Sequence, residues 1–334
     1  MVKKRERKRL ENIVVAERKV LKSCNAPAFE KRLVNLPSSG ELINTLSFGN
    51  PSGARHIVFL PGWGSGAALF AKNVLPLSKT YRVHLVDWLG CGGSSRPNFN
   101  RNAEPEEASL FFISSLSEWA SEFRKLEPSF KRFSIVGHSL GGYLGTLFAL
   151  KFPQNVDRLM LVSPVGIPAR PVNWKGPRRA LYQRVLLGMM KILWDRNKSP
   201  QSLARTLGSG TMTWLCKRYA NYRFPSLEPS AADALGTYFA EISMLPGSGE
   251  YGMNTILQFG AWARKPLKDR LPSLTVPVSM IYGERDWMDW RLAAEVIPSM
   301  NTKASVGVLE DAGHFLFLDN PSGFNQWLDK ELRD

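Results

Sequence analysis

The stretch Gly137-His138-Ser139-Leu140-Gly141 decides the predicted fold of this 334-residue chain. The apolar run Phe133 to Val136 precedes it, and the helical pattern Tyr143 to Lys151 follows it. A serine between two glycines at a strand-to-helix junction indicates a sharp turn that projects the hydroxyl from the edge of a sheet. The turn crowds the backbone, so the flanking positions require glycine. We therefore predict that Ser139 is a nucleophile in an elbow shaped by its two glycine neighbours.

The general base is predicted largely by elimination among four histidines. His56 and His84 lie in predicted strands, and His138 occupies a variable position of the elbow. Only His314 lies in a loop after the last predicted strand. In hydrolases with this elbow, the nucleophile, the acid and the histidine follow in that order along the chain. His314 would take the proton from Ser139 and return it to the leaving group.

The acid that orients the histidine should lie between them, at the carboxyl end of the preceding strand. The run Val278 to Tyr282 leads into Gly283-Glu-Arg-Asp286-Trp-Met-Asp289. We predict Asp286 as the acid, with Asp289 as the alternative. The competing interpretation of Asp289 is that it caps a helix beginning near Trp290.

Two backbone amides are expected to bind the negative charge that develops on the substrate carbonyl oxygen. One is the amide of Leu140, directly after the nucleophile. The other is the amide of Trp63, in the loop Pro61 to Gly66 that follows a predicted strand. Many hydrolases begin this loop with His-Gly, whereas this chain has Pro61-Gly62. The amide of Trp63 is a backbone group and does not depend on that histidine. The sequence does not show which group braces the loop in its place.

Alternating strands and helices predict the architecture around these residues. Near-continuous apolar runs are typical of strands buried on both faces of a parallel sheet. Helical patterns such as Ala108 to Lys125 lie between them, which predicts a doubly wound α/β sheet. Together with the elbow, this indicates an α/β-hydrolase fold. The predicted strands cover Leu42 to Phe48, His56 to Leu60, Arg82 to Val86, Phe133 to Val136, Leu159 to Val162, Val278 to Tyr282 and Ser305 to Leu309.

The predicted core consists of residues 40–167 and 268–334, preceded by a basic helical extension over residues 1–39. Residues 168–267 hold helical patterns without a convincing strand and are predicted to form an inserted helical cap. The first part of this cap is strongly basic, through Arg170, Lys175, Arg178, Arg179, Arg184, Lys191, Arg196, Lys198, Arg205, Lys217, Arg218 and Arg223.

The run Ala180 to Trp194 in the cap has the pattern of an amphipathic helix that could lie in a lipid interface. The alternative is that this helix simply packs the cap onto the core. Its predicted polar face carries Arg184, Lys191, Asp195 and Lys198.

The formal net charge is +15, from 44 Lys and Arg against 29 Asp and Glu. Such an excess favours an anionic partner, either a membrane surface or nucleic acid. No nucleic-acid-binding module is recognisable and a nucleophile elbow does not belong to one, so we expect no nucleic acid partner. We expect contact with anionic phospholipid instead.

The cysteines and the N-terminal sequence indicate the cellular compartment in which the protein is expected. Cys24, Cys91 and Cys216 lie far apart and form no disulfide or metal pattern, which favours a reducing, intracellular setting. The basic start lacks the apolar stretch of a secretory signal, and no run of about twenty apolar residues is present. We expect a cytoplasmic or peripheral membrane protein. No metal or organic cofactor is expected, because the triad activates its own nucleophile.

Five stretches together resemble a known group of enzymes. They are Leu60–Gly66, Asp87–Arg96, Gly137–Leu144, Tyr282–Asp289 and Gly313–Pro321. The chain is similar to the phospholipid-directed α/β-hydrolase family, which includes CGI-58-type lipid-droplet lipase co-activators, N-acyl-phosphatidylethanolamine lipases and cardiolipin deacylases. The resemblance implies a phospholipase or lysophospholipase, with N-acyl phospholipids among its substrates. It also implies a lipid-droplet or mitochondrial membrane surface, and a lipase or droplet-coat protein as partner.

The resemblance, which spans about residues 40 to 332, leaves two alternatives to hydrolysis. The family's His-x4-Asp motif, here His314 and Asp319, has been linked to acyl-CoA-dependent acylation of lysophosphatidic acid. The competing interpretation is that Asp319 precedes the final helix, with Pro321 as its first residue. The second alternative is a non-catalytic lipase co-activator. That branch carries Asn where this chain has Ser139, which favours catalysis here.

Overall fold

The computed structural model describes residues 2–51, 55–170 and 181–333, without the side chains of residues 2–8, 181–186 and 203. Eight strands in this part of the chain form one sheet, and two short strands form a separate hairpin. The strands are β1 (Phe29–Leu36), β2 (Glu41–Phe48), β3 (His56–Leu60), β4 (Arg82–Val86), β5 (Phe133–His138), β6 (Val156–Val162), β7 (Leu257–Gln258), β8 (Trp262–Ala263), β9 (Val278–Gly283) and β10 (Ala304–Leu309).

The described α-helices alternate with these strands along most of the chain. The helix after β4 begins at Pro105, and the missing N–H of this proline costs no hydrogen bond in the first turn. The helices are α1 (Val2–Ser23), α2 (Ala71–Leu77), α3 (Pro105–Leu126), α4 (Leu140–Lys151), α5 (Leu181–Asp195), α6 (Pro200–Leu207), α7 (Ser209–Arg223), α8 (Pro229–Ser243), α9 (Glu250–Ile256), α10 (Arg291–Ala294), α11 (Leu316–Asp319) and α12 (Pro321–Arg333).

The strand order in the large sheet is β1-β2-β4-β3-β5-β6-β9-β10. β2 pairs with β1 and β4 in antiparallel register, and all other pairs are parallel. The predicted, mostly parallel sheet is therefore confirmed. Because β3, β5, β9 and β10 run in one direction, the loops after them meet at one edge of the sheet. That edge receives every predicted catalytic residue.

Both faces of the sheet are covered, as the continuous apolar strands predicted. Alternate residues of β3 point to opposite faces. Ile57 and Phe59 pack in a core that includes residues of α1, α2, α8 and α12. Val58 and Leu60 pack in a second core with residues of α3 and α4. The doubly wound arrangement is thus confirmed.

Residues 1–39 differ from the predicted helical extension, because they contribute to the sheet as well. β1 pairs with β2 over its full length, from Phe29 opposite Phe48 to Leu36 opposite Glu41. The charged side chains of residues 30–32 hide the apolar alternation, as is common in edge strands. The helix in the extension, α1, packs against α8 of the cap segment and buries Ile13, Val20 and Leu21. Residues from Ile13 onward therefore contribute to the core.

The segment between β6 and β9 is mainly helical, as predicted, with α5 to α9 and the hairpin of β7 and β8. The hairpin was not predicted, because its strands have two residues each. Lys191 ion-pairs with Asp195 on α5, but Lys198 lies beyond the end of this helix and cannot share its face. None of the described helices is both long and apolar enough to span a bilayer. Lys175, Arg178 and Arg179, and the side chain of Arg184, lie outside the described residues.

A substitution in α1 tests whether this helix stabilises the fold. Leu21 is fully buried, whereas Leu10 on the same helix is exposed. We expect Leu21→Ala to lower the free energy of unfolding by about 2–5 kcal/mol, because it removes buried methyl groups and leaves a cavity. Leu10→Ala should change it by no more than about 0.5 kcal/mol. Urea unfolding measures both, and equal stabilities would contradict a core role for α1.

Candidate active site

The elbow lies between β5 and α4, and its backbone is strained. Ser139 has φ +53° and ψ −117°, a conformation that costs free energy for any residue with a side chain. A Cβ on Gly137 would lie 2.7 Å from the Gly141 carbonyl oxygen, and a Cβ on Gly141 would lie 2.3 Å from the Leu60 carbonyl oxygen. Both positions therefore require glycine, as the sequence predicted. The Ser139 amide donates to the Val162 carbonyl, which ties the turn to β6.

His314 lies in the loop between β10 and α11, beside one of the two candidate acids. Its Nδ1 is 3.2 Å from Oδ1 and 3.4 Å from Oδ2 of Asp286. The Asp286 side chain is fully buried, so this carboxylate is shielded from water. Asp286 also accepts a hydrogen bond from the Met288 amide, which fixes its orientation. The structure thus places Asp286, the first-ranked acid, against the predicted base.

Asp289 has a different environment from Asp286. Its side chain is half exposed and pairs with the Arg291 guanidinium at 3.2 Å. It also accepts a hydrogen bond from the Arg291 amide, the first residue of α10. This is the helix-capping role that was the competing interpretation of Asp289. No hydrogen bond joins Asp289 to His314 in the described part of the chain.

The loop after β3 lies directly against the elbow. A Cβ on Gly62 would be 3.0 Å from Cβ of Ser139. Trp88 Nε1 donates to the Pro61 carbonyl at 3.0 Å, and Ser65 Oγ donates to the Gly62 carbonyl at 2.9 Å. These two hydrogen bonds brace the loop where many hydrolases use a histidine. The sequence did not predict these two donors, because Trp88 is distant in sequence from Pro61 and a loop serine such as Ser65 is not distinctive.

The two predicted oxyanion donors are the amides of Trp63 and Leu140. Leu140 is the first residue of α4, whose amino end carries unpaired N–H groups and the positive end of the helix dipole. Among residues 2–51, 55–170 and 181–333, neither amide donates a hydrogen bond to a protein acceptor. The Trp63 indole donates to the Glu250 carbonyl of α9, at 3.1 Å. This contact connects the loop to the cap segment.

The hydroxyl of Ser139 makes no hydrogen bond to the His314 imidazole within the described residues. In unliganded hydrolases this contact is commonly long and closes only when substrate is bound. In this arrangement the candidate acid and the candidate base are already in contact, and the candidate nucleophile lies separately on the elbow.

His138 holds the backbone of the base, a role that sequence reasoning did not predict. Its ring is buried, and Nε2 donates to the His314 carbonyl at 2.9 Å. The ring packs against Phe317 at a centroid distance of 4.9 Å. Burial, with the nearby His314 as a further cause, holds the pKa of His138 well below its usual value. His138 is therefore a neutral donor near pH 7.

Asp319, the second residue of the His-x4-Asp motif, ends α11 and lies beside the base loop. Pro321 begins α12, so the predicted helix start is confirmed. The Asp319 carboxylate makes two hydrogen bonds to the Arg223 guanidinium and accepts one from the Gly313 amide. Gly313 is the residue before His314. Sequence spacing alone could not reveal the partner from the cap segment.

One cavity is lined by the candidate base, and a second cavity meets it at Trp287. The first is a groove of about 630 Å³ whose lining includes charged residues of both signs and His314. A pocket of about 330 Å³ with apolar lining includes Trp262, Met288 and Leu292. Trp287 lines both, and its ring centroid is 5.2 Å from that of His314. A groove with charged residues and a pocket with fewer charged residues thus meet at one residue next to the candidate base.

The other reactive groups of the described chain are less suited to this chemistry. All three cysteines are free, and burial raises the pKa of Cys91 to about 12 and that of Cys216 to about 11. Both thiols are therefore protonated near pH 7 and are poor nucleophiles. Within the described residues, neither of these thiols competes with Ser139 as a candidate nucleophile.

One buried cluster has the residue types of a metal site. His56, His84 and Glu127 bring ligand atoms together near the amino-terminal end of β3, away from the elbow. His56 Nδ1 and His84 Nε2 are 2.9 Å apart, which is a direct hydrogen bond between rings. Glu127 already accepts from Arg82 Nε at 2.9 Å. The two rings thus bind each other and Glu127 binds Arg82, and the absence of a metal cofactor stays a prediction.

Comparison with known proteins identifies the class of protein. A family model described as alpha/beta hydrolase fold matches residues 55–321, and the chain belongs to this family. A 1-acylglycerol-3-phosphate O-acyltransferase of Arabidopsis thaliana is 36% identical over 295 residues, which cover 85% of this chain and 68% of that protein. The family resemblance seen in the sequence is thereby confirmed.

Two animal relatives carry the names that the sequence motifs indicated. The Rattus norvegicus protein "1-acylglycerol-3-phosphate O-acyltransferase ABHD5" is 31% identical over 93% of this chain and 86% of its own length. The Homo sapiens "(Lyso)-N-acylphosphatidylethanolamine lipase" is 27% identical over 90% of this chain and 86% of its own length. These relatives act in phospholipid metabolism by name, and the chain is similar to both.

Solved structures agree with the fold. A bacterial membrane phospholipase A superposes with a TM-score of 0.64 and 19% identity, over 97% of this chain and 90% of that one. The carboxylesterase CesB from Bacillus subtilis gives a TM-score of 0.65 and 16% identity, over 97% and 98% of the two chains. At these identities the likeness shows the α/β-hydrolase fold alone.

The depressed pKa of His138 predicts a pH-dependent stability difference. Below about pH 6.5 the unfolded chain protonates this residue while the native chain does not. The unfolded state then binds more protons, so the free energy of unfolding falls as pH falls, by up to about 1.4 kcal/mol per pH unit from this group. His138→Asn lacks this contribution.

The variant should be about 1–3 kcal/mol less stable than the original protein at pH 7.5, because the bond to the His314 carbonyl is weakened. That deficit should shrink as pH is lowered to 5. Urea unfolding at several pH values measures it. A deficit that stays constant from pH 7.5 to pH 5 would contradict a buried, neutral His138.

Proposed function

We propose that the chain hydrolyses acyl esters of glycerophospholipids or lysophospholipids, N-acyl phospholipids included, through an acyl-enzyme on Ser139. The observation that carries this proposal is the fully buried Asp286 carboxylate 3.2 Å from Nδ1 of His314, at the sheet edge where the strained elbow presents a serine. A serine, a histidine and a buried aspartate at one sheet edge fit the three roles of a Ser-His-Asp triad. The proposal rests on geometry first and on relatives second.

In the proposed reaction, His314 Nε2 takes the proton as Ser139 Oγ attacks the ester carbonyl carbon. Asp286 fixes the ring with Nδ1–H directed at its carboxylate and stabilises the imidazolium. The amides of Leu140 and Trp63 donate to the oxyanion, aided by the dipole of α4. The tetrahedral intermediate expels the alcohol, which receives the proton from His314. Water then attacks the acyl-enzyme by the same route and releases the fatty acid.

The two cavities at Trp287 support an amphipathic substrate. The groove is lined by charges of both signs, because Arg223 pairs with Asp319 and Arg285 pairs with Asp311, and such a lining suits a polar head group. The pocket beside Met288 and Leu292 suits an acyl chain. An ester held between these compartments would lie beside the His314 ring. The phospholipid-related names of the relatives favour the same class of substrate.

Peripheral contact with an anionic membrane is supported by one face of α7, which we call the α7 stripe. The stripe consists of Trp214, Leu215, Arg218, Tyr219 and Tyr222. All four apolar or aromatic members are substantially exposed, from 38% for Leu215 to 87% for Tyr222. The opposite side of α7 buries Cys216 and Ala220, so the helix is anchored while the stripe faces outward. The Arg218 guanidinium lies 5.3 Å from the Trp214 ring. Aromatic and basic side chains together suit an anionic lipid interface.

Position and charge connect this stripe with the candidate site. Tyr219 and Tyr222 also line the groove that contains His314. A lipid leaving the bilayer at the stripe would therefore enter the groove directly. Membrane contact at a lipid droplet or mitochondrion agrees with this arrangement, as does the net charge of +15.

A second candidate function is acyl transfer to lysophosphatidic acid, which the names of the plant and rat relatives favour. The same acyl-enzyme could pass its acyl group to a lipid hydroxyl in place of water. A co-activator role towards a lipase is a third proposal, and it requires no chemistry at Ser139. Product formation that depends on Ser139 separates both enzymatic functions from the co-activator.

Substitution of each candidate acid tests the proposed triad. We expect Asp286→Asn to lower kcat for lysophospholipid hydrolysis by about 10³–10⁴-fold, because the imidazole loses the acceptor that fixes its tautomer. Asp289→Asn should stay within about twofold, because this half-exposed carboxylate contacts Arg291. Fatty acid release measures the rates, with Ser139→Ala as baseline.

Each outcome of this experiment has a separate meaning. Hydrolysis that persists in Ser139→Ala would contradict the proposed function. A normal rate for Asp286→Asn together with a large loss for Asp289→Asn would contradict only the assignment of the acid. Lysophosphatidic acid with acyl-CoA is assayed in parallel, and a product formed only in that mixture would favour acyl transfer.

Removal of the aromatic side chains tests the membrane surface. We expect Trp214→Ala/Tyr222→Ala to weaken binding to vesicles rich in phosphatidylserine by at least about tenfold, because two large side chains no longer enter the interface. The control Leu126→Ala removes an exposed leucine at the end of α3 and should bind normally. Vesicle co-sedimentation measures the affinity, and unchanged binding of the double variant would contradict a membrane-facing α7 stripe.

A further inference from the structure

Asp319 uses both carboxylate oxygens to connect the base loop with the cap segment. Its Oδ1 accepts from Arg223 Nη1 at 2.9 Å, and its Oδ2 accepts from Arg223 Nη2 at 3.2 Å. The Oδ2 atom also accepts from the Gly313 amide at 2.9 Å. Arg223 is the last residue of α7, and Gly313 is bonded directly to His314. A two-point guanidinium–carboxylate contact fixes orientation as well as distance.

Neighbouring contacts join the same two segments. Ser226 Oγ donates to the Leu318 carbonyl at 2.8 Å. The rings of Phe224 and Phe315 pack edge to face at a centroid distance of 5.3 Å. The Arg223 guanidinium lies 5.1 Å from the centre of the Phe315 ring. The end of α7 and residues 313–319 therefore pack as one unit.

Shielding from solvent makes this ion pair stronger than an ordinary surface pair. The side chains of Arg223 and Asp319 are 27% and 12% exposed. Exposed pairs of the same kind contribute little because water and salt screen them. The fit around Gly313 is close: a Cβ there would lie 3.3 Å from Arg223 Nη2 and 3.4 Å from Asp319 Oδ2.

The backbone around His314 is held from two sides. Asp319 binds the amide of the residue before it, and His138 binds its own carbonyl oxygen at 2.9 Å. This loop has no strand or helix hydrogen bonds at Gly313 and His314 to fix it. The direction of the imidazole therefore depends on these two contacts as well as on Asp286.

We propose that Asp319 is a positioning residue for His314, and that through Arg223 it makes the position of the base depend on α7. The inference rests on the proposed function, because it concerns the efficiency of the Ser139 reaction. It also gives the His-x4-Asp motif a role without a separate acyltransferase chemistry, since both Asp319 oxygens are engaged by protein donors. Because α7 carries the proposed membrane stripe, contact with lipid and alignment of the base would involve the same helix.

The experiment compares four variants in lysophospholipid hydrolysis. Asp319→Asn and Arg223→Gln each remove the ion pair, and the double variant removes both partners. The matched control is Asp233→Asn, because Asp233 of α8 also ion-pairs with α7, through Lys217 at 3.3 Å, without contacting the base loop. Each variant is measured for kcat, KM, melting temperature and the rate at which a fluorophosphonate labels Ser139.

We expect each single variant to lower kcat by about 10- to 100-fold, because the base is displaced. The change in KM should be smaller than the change in kcat, because Arg223 and Asp319 form only part of the groove lining. The labelling rate should fall in parallel. The double variant should be no slower than the worse single variant, since both lose one shared contact. Asp233→Asn should match the original protein in kcat and labelling rate.

Arg223→Lys is included in case Arg223→Gln unfolds. This variant keeps the charge but not the two-point contact. Its kcat is expected to lie between that of Arg223→Gln and that of the unsubstituted protein. A normal kcat in folded Asp319→Asn would overturn the inference while leaving the proposed function intact. Multiplicative losses in the double variant, or a loss confined to reactions containing acyl-CoA, would also overturn it. Absence of Ser139-dependent hydrolysis in the unsubstituted protein would instead contradict the proposed function.

Discussion

The close approach of α4 to the loop after β3 is the constraint on which the catalytic edge depends. At Gly141 the helix backbone is so near the Leu60 and Pro61 carbonyls that a methyl group would overlap both. This contact forces the chain to turn sharply after β5 and leaves Ser139 at φ +53°. Strain of this kind persists only where surrounding structure supports it. Here the fully buried strand β5, which leads into the turn, and its fully buried neighbour β3 supply that support.

The same turn determines how the other groups are arranged. Because Gly62 lies against Cβ of Ser139, the loop that carries Trp63 can reach the same point in space as the Leu140 amide. His138, one residue before the serine, donates a hydrogen bond to the carbonyl of His314. One five-residue elbow thus positions the proposed nucleophile and contacts the loop of the proposed base. The cap segment completes the arrangement through Arg223 and Asp319.

The sequence was sufficient for the parts of the molecule that follow local rules. Apolar runs predicted seven of the sheet strands, because strands buried on both faces have little polar content. The order of serine, acid and histidine led to the pair Asp286 and His314, which the structure brings within 3.2 Å. The helix cap at Asp289 could also be anticipated, since it depends on the next two residues only.

The remaining features depend on contacts between distant segments, which spacing does not encode. The edge strand β1 was missed because its exposed charged residues hide the apolar alternation. The Arg223–Asp319 pair joins residues 96 positions apart, and the His138–His314 contact joins residues 176 positions apart. The braces from Trp88 and Ser65 to the loop after β3 are of the same kind. Such contacts exist only once the sheet has brought its loops together.

The central claim is that Ser139 is the nucleophile in hydrolysis of phospholipid acyl esters. It is tested most directly by titrating the protein with a fluorophosphonate while measuring lysophospholipid hydrolysis and mapping the modified residue by mass spectrometry. The account predicts one adduct per chain, on Ser139, and loss of hydrolysis in proportion to its occupancy. Hydrolysis that continues when Ser139 is fully modified would contradict the account.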